Sequence, residues 1–198
     1  MEMQFADQLF AKGMSFICGV DEAGRGPLAG PVCVAAAILP RVFDLPFLDD
    51  SKRLSAGKRE DLFGMITQQA LDFKIVFVDE KTIDEVNILQ ATMRGMQDAV
   101  CGLKTNPDLV LVDGNKAPQL PFPVKCIVHG DSKVPAIAAA SILAKVTRDR
   151  FMIERAKEYP GYLFEKNKGY GTAAHMAAIA HLGLCGIHRR SFCKKLIP

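Results

Sequence analysis

Phe16-Ile17-Cys18-Gly19-Val20-Asp21-Glu22-Ala23-Gly24-Arg25-Gly26-Pro27 is an apolar run of strand length that ends in two adjacent carboxylates and a Gly-Arg-Gly-Pro turn. Successive side chains on a strand point to opposite faces, so neighbouring acids serve one site only where the strand ends or bends, and the glycines permit that bend. The stretch therefore predicts chemistry at a strand end. It is not a dinucleotide-binding glycine loop. Such a loop opens a helix directly, whereas here the spacing over Gly24, Gly26 and Gly30 is GxGxxxG, the acids come first, and Pro27 and Pro31 interrupt.

Outward from this stretch, residues 30–40 form an apolar run bracketed by Pro31 and Pro40, too short for a comfortable helix, and predict a second strand paired with the first. Residues 49–55 are a polar loop, with Ser55 placed as the N-cap of a helix over 56–70 and a third strand over 71–78. Ile83, Val86, Leu89, Met93 and Met96 recur at three- and four-residue steps, predicting a helix over 81–101 with Thr82 as its cap. A long helix over 137–158 opens with Ala138, Ala139, Ala140 and Ser141, small enough to approach a sheet closely, and turns basic in its second half. Tyr159-Pro160-Gly161-Tyr162 ends it. A basic aromatic loop over 164–172, a short helix over 173–182 and the tail His188-Arg189-Arg190-Ser191-Phe192 follow.

The opening theme returns twice. Asp108-Leu109-Val110-Leu111-Val112-Asp113-Gly114-Asn115 delivers Asp113 at the end of a short buried strand, and Val124-Lys125-Cys126-Ile127-Val128-His129-Gly130-Asp131-Ser132-Lys133 delivers Asp131 in the same way. One Asp after a strand is an ordinary turn residue. Three strand ends carrying acid predict one loaded edge of a sheet. At an effective dielectric near 20, two unit charges about 4 Å apart repel by about 4 kcal/mol, so Asp21, Glu22, Asp113 and Asp131 brought together require protons or cations. An all-oxygen set without Cys or His favours hard divalent ions, Mg²⁺ or Mn²⁺, and a pair of such ions suits in-line displacement at phosphate. Nucleic-acid hydrolysis is the leading chemistry.

Composition sets the bounds. At 198 residues, 49% hydrophobic and 24% charged, the chain suits one globular domain and excludes disorder. Residues 1–13 lack the layout of a secretory signal, which predicts a cytoplasmic protein. The most continuous apolar segment, 137–144, falls far short of the ~20 residues of a membrane span. Six cysteines without a CxxC pair read as buried free thiols. Residues 1–113 hold 11 Lys/Arg against 17 Asp/Glu, net −6, while residues 114–198 hold 14 against 5, net +9. That asymmetry suggests a polyanion held by the second half and divalent metal by the first.

Gly19-Val20-Asp21-Glu22-Ala23-Gly24-Arg25-Gly26-Pro27, Asp50-Ser51-Lys52, Val112-Asp113-Gly114, Gly130-Asp131-Ser132-Lys133, the run from Ala138 to Val146, Lys168-Gly169-Tyr170-Gly171-Thr172 and His188-Arg189-Arg190-Ser191-Phe192 together closely resemble bacterial ribonuclease HII, the type 2 ribonuclease H family. The resemblance implies an α/β ribonuclease H-like fold, a central mixed sheet flanked by helices, in a single domain over 1–198 with a substrate-binding helical extension over about 160–198. It implies a monomeric endonuclease that cuts the RNA strand of RNA–DNA hybrids. It also implies nicking on the 5′ side of single ribonucleotides embedded in duplex DNA, leaving 5′-phosphate and 3′-hydroxyl ends, as ribonucleotide excision in DNA replication and repair requires. By match of motif, Asp21, Glu22, Asp113 and Asp131 are the catalytic acids and ligands of two Mn²⁺ or Mg²⁺ ions. Gly24, Arg25 and Gly26 read the 2′-hydroxyl at the RNA-to-DNA junction, and Tyr170 stacks on the following deoxyribose.

Lys52, Lys133, Lys145, Arg148, Lys166 and Lys168 are candidates for phosphate contacts, with Lys52 counted among the substrate-binding residues, and the four histidines are read as structural. Two readings from other classes stand beside this one. An inert acid cluster would leave a nucleic-acid-binding module, which Mg²⁺-dependent nicking tests, and a phosphoesterase with the same metal chemistry would turn over small phosphoesters.

Overall fold

The computed structural model describes residues 3–46, 48, 54–194 and 196. In chain order these form helix α1 (Met3–Ala11), strands β1 (Ile17–Ala23) and β2 (Val32–Ile38), helix α2 (Ala56–Gln69), strand β3 (Asp72–Val78), helix α3 (Glu80–Cys101) and strands β4 (Leu109–Asp113) and β5 (Val124–Ile127). A 3₁₀ turn at Gly130–Ser132 leads into α4 (Pro135–Glu158), and three short helices follow, α5 (Phe164–Asn167), α6 (Ala173–Leu182) and α7 (Arg190–Cys193). The strands make one mixed sheet in the order β3-β2-β1-β4-β5, antiparallel across β3-β2-β1 and parallel across β1-β4-β5.

Helices cover both faces of this sheet, which is why β2 is a continuous apolar run rather than an alternating one. Cys33, Ala35 and Ala37 meet Leu62 and Ile66 of α2 and Ile142 and Leu143 of α4. Val34, Ala36 and Ile38 meet Met96, Ala99 and Val100 of α3 on the other face. The small residues at the start of α4 let it lie close over β1: a Cβ on Gly19 would stand 2.1 Å from the carbonyl carbon of Ala136. Pro135 sits at the first turn of α4, where its missing N–H costs no helical bond. A separate cluster of Ala29, Met152, Tyr162, Phe164, Ile179 and Ile187 fastens the C-terminal segment to the end of α4 and to the loop after β1.

Several sequence expectations change in detail. Ser55 caps α2, its hydroxyl accepting from the Lys58 N–H at 3.3 Å. The cap of α3, however, is Asp79 rather than Thr82: the Asp79 carboxylate accepts the Thr82 N–H at 2.8 Å, and an acid at that position also faces the positive end of the helix. The apolar period of α3 conceals a break at Asn87 (φ 68), whose side chain re-caps the helix by accepting from the N–H groups of Leu89 and Gln90. Cys101 is exposed, contrary to the reading of buried thiols, because it ends α3 on the solvent side; Cys18 and Cys33 are buried and their thiols pushed up to about 12 by desolvation. Asp50, Ser51 and Lys52 lie outside the described residues.

Candidate active site

The topology loads acid on one sheet edge. Parallel neighbours end on the same side, and β1 and β4 are paired with Val20 opposite Val112, so Asp21 and Asp113 each follow one step later on the face that carries α4. Asp131 arrives differently. The sequence predicts it at a strand end, but β5 stops at Ile127 and Asp131 sits in the 3₁₀ turn beyond, which His129 enters in the left-handed conformation (φ 57, ψ 42). The turn is fixed by its neighbour: the Gly130 N–H donates to Asp113 Oδ1 at 2.6 Å, and a Cβ at residue 130 would fall 2.5 Å from Ile137 Cδ1. One carboxylate thus holds the backbone that presents another. Oxygens of Asp21, Asp113 and Asp131 all lie within 4.8 Å of one another.

Glu22 behaves differently from the expectation that the strand ends or bends at the acid pair. β1 remains paired with β2 through Ala23, opposite Cys33, so Asp21 and Glu22 project to opposite faces. Glu22 comes from the α3 side, beside Leu89 and Met93, and carries an ion pair with Arg25 at 3.3 Å. It nevertheless lines the same cleft of about 470 Å³ as Asp21 and Asp113.

Burial drives the electrostatics. Desolvation first, then the charges of Glu22 and Asp113, push the Asp21 carboxyl well above the usual carboxylate range. The Ser141 hydroxyl and the Glu22 N–H, the latter 2.7 Å from Asp21 Oδ1, pull partly the other way. A cluster of this kind, with oxygen donors only and an acid that resists ionisation until positive charge arrives, fits a hard divalent cation.

A family model described as Ribonuclease HII matches residues 18–195. The chain belongs to the ribonuclease HII family. It is 54% identical over 189 residues to a ribonuclease HII of Endomicrobium trichonymphae, covering 95% of this chain and 90% of that one. Among solved structures it is similar to the ribonuclease H2 from Pyrococcus horikoshii OT3, with a TM-score of 0.75, 27% identity and coverage of 91% of this chain and 96% of that one. Bst-RNase HIII in complex with Mn²⁺ shares the fold at a TM-score of 0.72 and 18% identity, covering 92% of this chain and 69% of that one. The ribonuclease H-like fold expected from the sequence is therefore present.

The structure brings Gly24, Arg25, Gly26 and Tyr170 to the wall of the acid-bearing cleft, together with Ser141 and Lys145. Tyr170 is 43% exposed and stands next to Gly26. Lys145 also borders an adjoining groove of about 340 Å³ lined with Arg59, Arg150, Lys166 and Lys168. Arg148 does not belong with these lysines. The sequence offered it as a phosphate contact, yet it is 1% exposed and spends its donors on the backbone oxygens of Ala29, Pro31 and Lys168. The Lys133 ammonium donates to the Val128 carbonyl at 2.8 Å, and the Lys168 ammonium donates to the Glu165 carbonyl.

Sequence reasoning missed Ser141 as a partner of Asp21, because a serine among alanines reads as one more small residue. It also missed Asn167, whose amide donates to the Tyr162 carbonyl and accepts the Gly169 N–H, shaping the loop that presents Tyr170. His175 and His188 bond each other at 3.1 Å, buried against Tyr162 and Phe164 and away from the acids.

Proposed function

We propose that this cleft cuts the RNA strand of RNA–DNA hybrids and nicks on the 5′ side of single ribonucleotides in duplex DNA, leaving 5′-phosphate and 3′-hydroxyl ends, with Asp21, Glu22, Asp113 and Asp131 holding the divalent ions that ribonucleases of this family use. The observation that carries this reading is a convergence. Carboxylates from β1, β4 and the 3₁₀ turn meet, and Asp21 and Asp113 among them line a cleft that Gly24, Arg25, Gly26 and Tyr170 also line. The oxygen-only donor set favours Mg²⁺ or Mn²⁺, two of them during turnover. When bound, such ions supply Lewis-acid polarisation of the phosphate and a nucleophilic water at neutral pH.

The chain's own residues supply the rest. Ser141 orients Asp21, and Asp113 positions Asp131 through Gly130. Backbone groups of Gly24, Arg25 and Gly26 address the 2′-hydroxyl, the group that distinguishes ribose from deoxyribose, and glycine allows the close approach. The Tyr170 ring packs on the neighbouring sugar without regard to its base. Lys145, Lys166 and Lys168 take phosphates, which position a duplex and carry no sequence information. Residues 160–198 serve as the substrate-binding extension of a single domain that acts as a cytoplasmic monomer. No helix among the described residues is long and apolar enough to cross a membrane.

The test is a DNA duplex carrying one ribonucleotide, offered with Mg²⁺ or Mn²⁺, beside an all-DNA duplex. One nick on the 5′ side of the ribonucleotide, abolished by chelator, is expected, with the control intact. Binding without cleavage would select the inert-module reading, and turnover of small phosphoesters alone would select the phosphoesterase.

A further inference from the structure

We propose that Arg189 is a positioning residue for ribose recognition: from the C-terminal tail it turns the Gly24 and Arg25 carbonyls inward, so that the Arg25 and Gly26 N–H groups face the cleft as donors to the 2′-hydroxyl. This rests on the reading of the Gly-Arg-Gly turn given above. Arg189 is 0% exposed. Its Nη2 donates to the Gly24 oxygen at 2.6 Å, Nη1 to the Arg25 oxygen at 2.9 Å and Nε to the Gly30 oxygen at 2.8 Å. A guanidinium offers its donors in one rigid plane, so bridging consecutive carbonyls sets the orientation of both peptide units.

The consequence follows from peptide geometry. In a planar trans peptide the C=O and the next residue's N–H point in opposite directions. With the oxygens of Gly24 and Arg25 held on the buried side, the N–H groups of Arg25 and Gly26 face the other side, where Gly24, Arg25 and Gly26 line the cleft. Among the described residues neither N–H has an acceptor. Gly24 takes φ +95, and a Cβ there would lie 1.9 Å from Arg148 Nε, so this backbone course is open only to glycine.

The fork itself cannot swing. The Arg189 N–H donates to the Leu28 oxygen at 2.8 Å, and the Phe192 ring centre lies 5.2 Å from the guanidinium carbon. The Asp84 carboxylate accepts the N–H groups of Arg190 and Ser191 at 2.8 and 2.9 Å, which ties the tail to α3. Arg148 completes the seat beneath the same loop, donating to Ala29 and Pro31 and, at 3.0 Å, to the Lys168 oxygen, two residues before Tyr170. Gly-Arg-Gly and Tyr170 are thereby held in one frame.

Arg189→Lys retains the charge but has one donor nitrogen in place of the fork. It is expected to lower kcat on the single-ribonucleotide duplex by at least ~10-fold while duplex affinity changes by less than ~3-fold, because phosphate grips lie elsewhere. The rise in melting temperature caused by Mn²⁺ should be unchanged, since the acids are untouched. Unchanged kcat in a folded variant overturns the proposal, as does a loss of activity matched by a loss of the Mn²⁺ effect, which would make Arg189 a support of the fold only. If the variant does not melt cooperatively, the wild-type amides decide by NMR without metal. The Arg25 and Gly26 N–H groups should exchange as exposed donors and shift with the ribonucleotide-containing duplex but not with all-DNA duplex. Protection in the free protein, or the same response to both duplexes, overturns the inference. A wild type that itself fails to nick the ribonucleotide-containing duplex sinks the functional reading instead.

Discussion

Asp113→Asn separates the charge of the acid cluster from its shape. The Asn oxygen can still accept the Gly130 N–H, now 2.6 Å from Asp113 Oδ1, so the turn that carries Asp131 keeps its anchor. What disappears is one negative charge among three groups whose oxygens lie within 4.8 Å of one another. At an effective dielectric near 20, a pair at that separation repels by about 3.5 kcal/mol. Burial and the neighbouring charges of Glu22 and Asp113 push the Asp21 carboxyl well above the usual carboxylate range, which favours its neutral form and makes the net relief without metal smaller. About 1–2 kcal/mol is expected, which raises the melting temperature by about 2–8 °C for a chain of this size. The rate should move the other way, by ~10²-fold or more, because the reacting phosphate loses about 3 kcal/mol of metal-held stabilisation. The assay pairs thermal melts in chelator and in Mn²⁺ with single-turnover nicking of the single-ribonucleotide duplex. The variant should be the more stable protein without metal, gain less from Mn²⁺, and nick poorly. Near-normal nicking, or lower stability in chelator, would show that these carboxylates are not a strained cluster waiting for cations.

Lys166→Ala with Lys168→Ala should flatten the fall of log affinity against log salt, by ~1 to 2 in slope, since each phosphate contact releases about one counterion; an unchanged slope in binding titrations places the phosphates elsewhere. Tyr170→Ala should lose most nicking at a single ribonucleotide with little change in duplex affinity, read on four duplexes that differ only in the ribonucleotide's base; a strong base preference in the wild type would contradict stacking on the sugar. Burial pulls His188 down to about 4, with His175 beside it adding to the effect, so folding favours the neutral ring. The stability this confers is present above the unfolded value of 6.5 and is lost as pH falls through 4, about 1–2 kcal/mol after allowance for solvent screening, and urea melts of His188→Gln should show a shallower decline across that window.

The fold was legible where one local rule decides. The strand over 32–38 is apolar without interruption because helices cover both of its faces, and Ser55 announces α2. Asp113 was legible as a strand-end acid, whereas Asp21 was legible as an acid of the first strand but not as one followed by two more paired residues, Glu22 and Ala23. Asp131 was placed on the right loop but on the wrong element, since nothing in Val128-His129-Gly130 distinguishes a strand end from a left-handed step into a 3₁₀ turn. The two buried arginines were hidden more deeply. Arg148 sits in a basic stretch of α4, which is why the sequence offers it as a phosphate contact, and Arg189 sits in a basic tail for which the sequence offers no role of its own. What removes them from solvent is a set of backbone carbonyls at Gly24, Arg25, Ala29, Gly30 and Pro31, more than a hundred residues earlier. Backbone carbonyls carry no signature in a sequence.

In the proposed function, β1 and the turn that follows it carry two tasks whose spacing is set by the chain. Asp21 and Gly24 are three residues apart, and extended backbone advances about 3.3 Å per residue, so the acid cluster and the ribose-reading turn are separated by ~10 Å at most. Asp21 is anchored by strand pairing and the Gly24 and Arg25 carbonyls by Arg189, which fixes the offset between them. A ribose held at the turn presents its neighbouring phosphate to the acids at one offset only. Under the proposed reading, ribose selection and cleavage position then share one geometry.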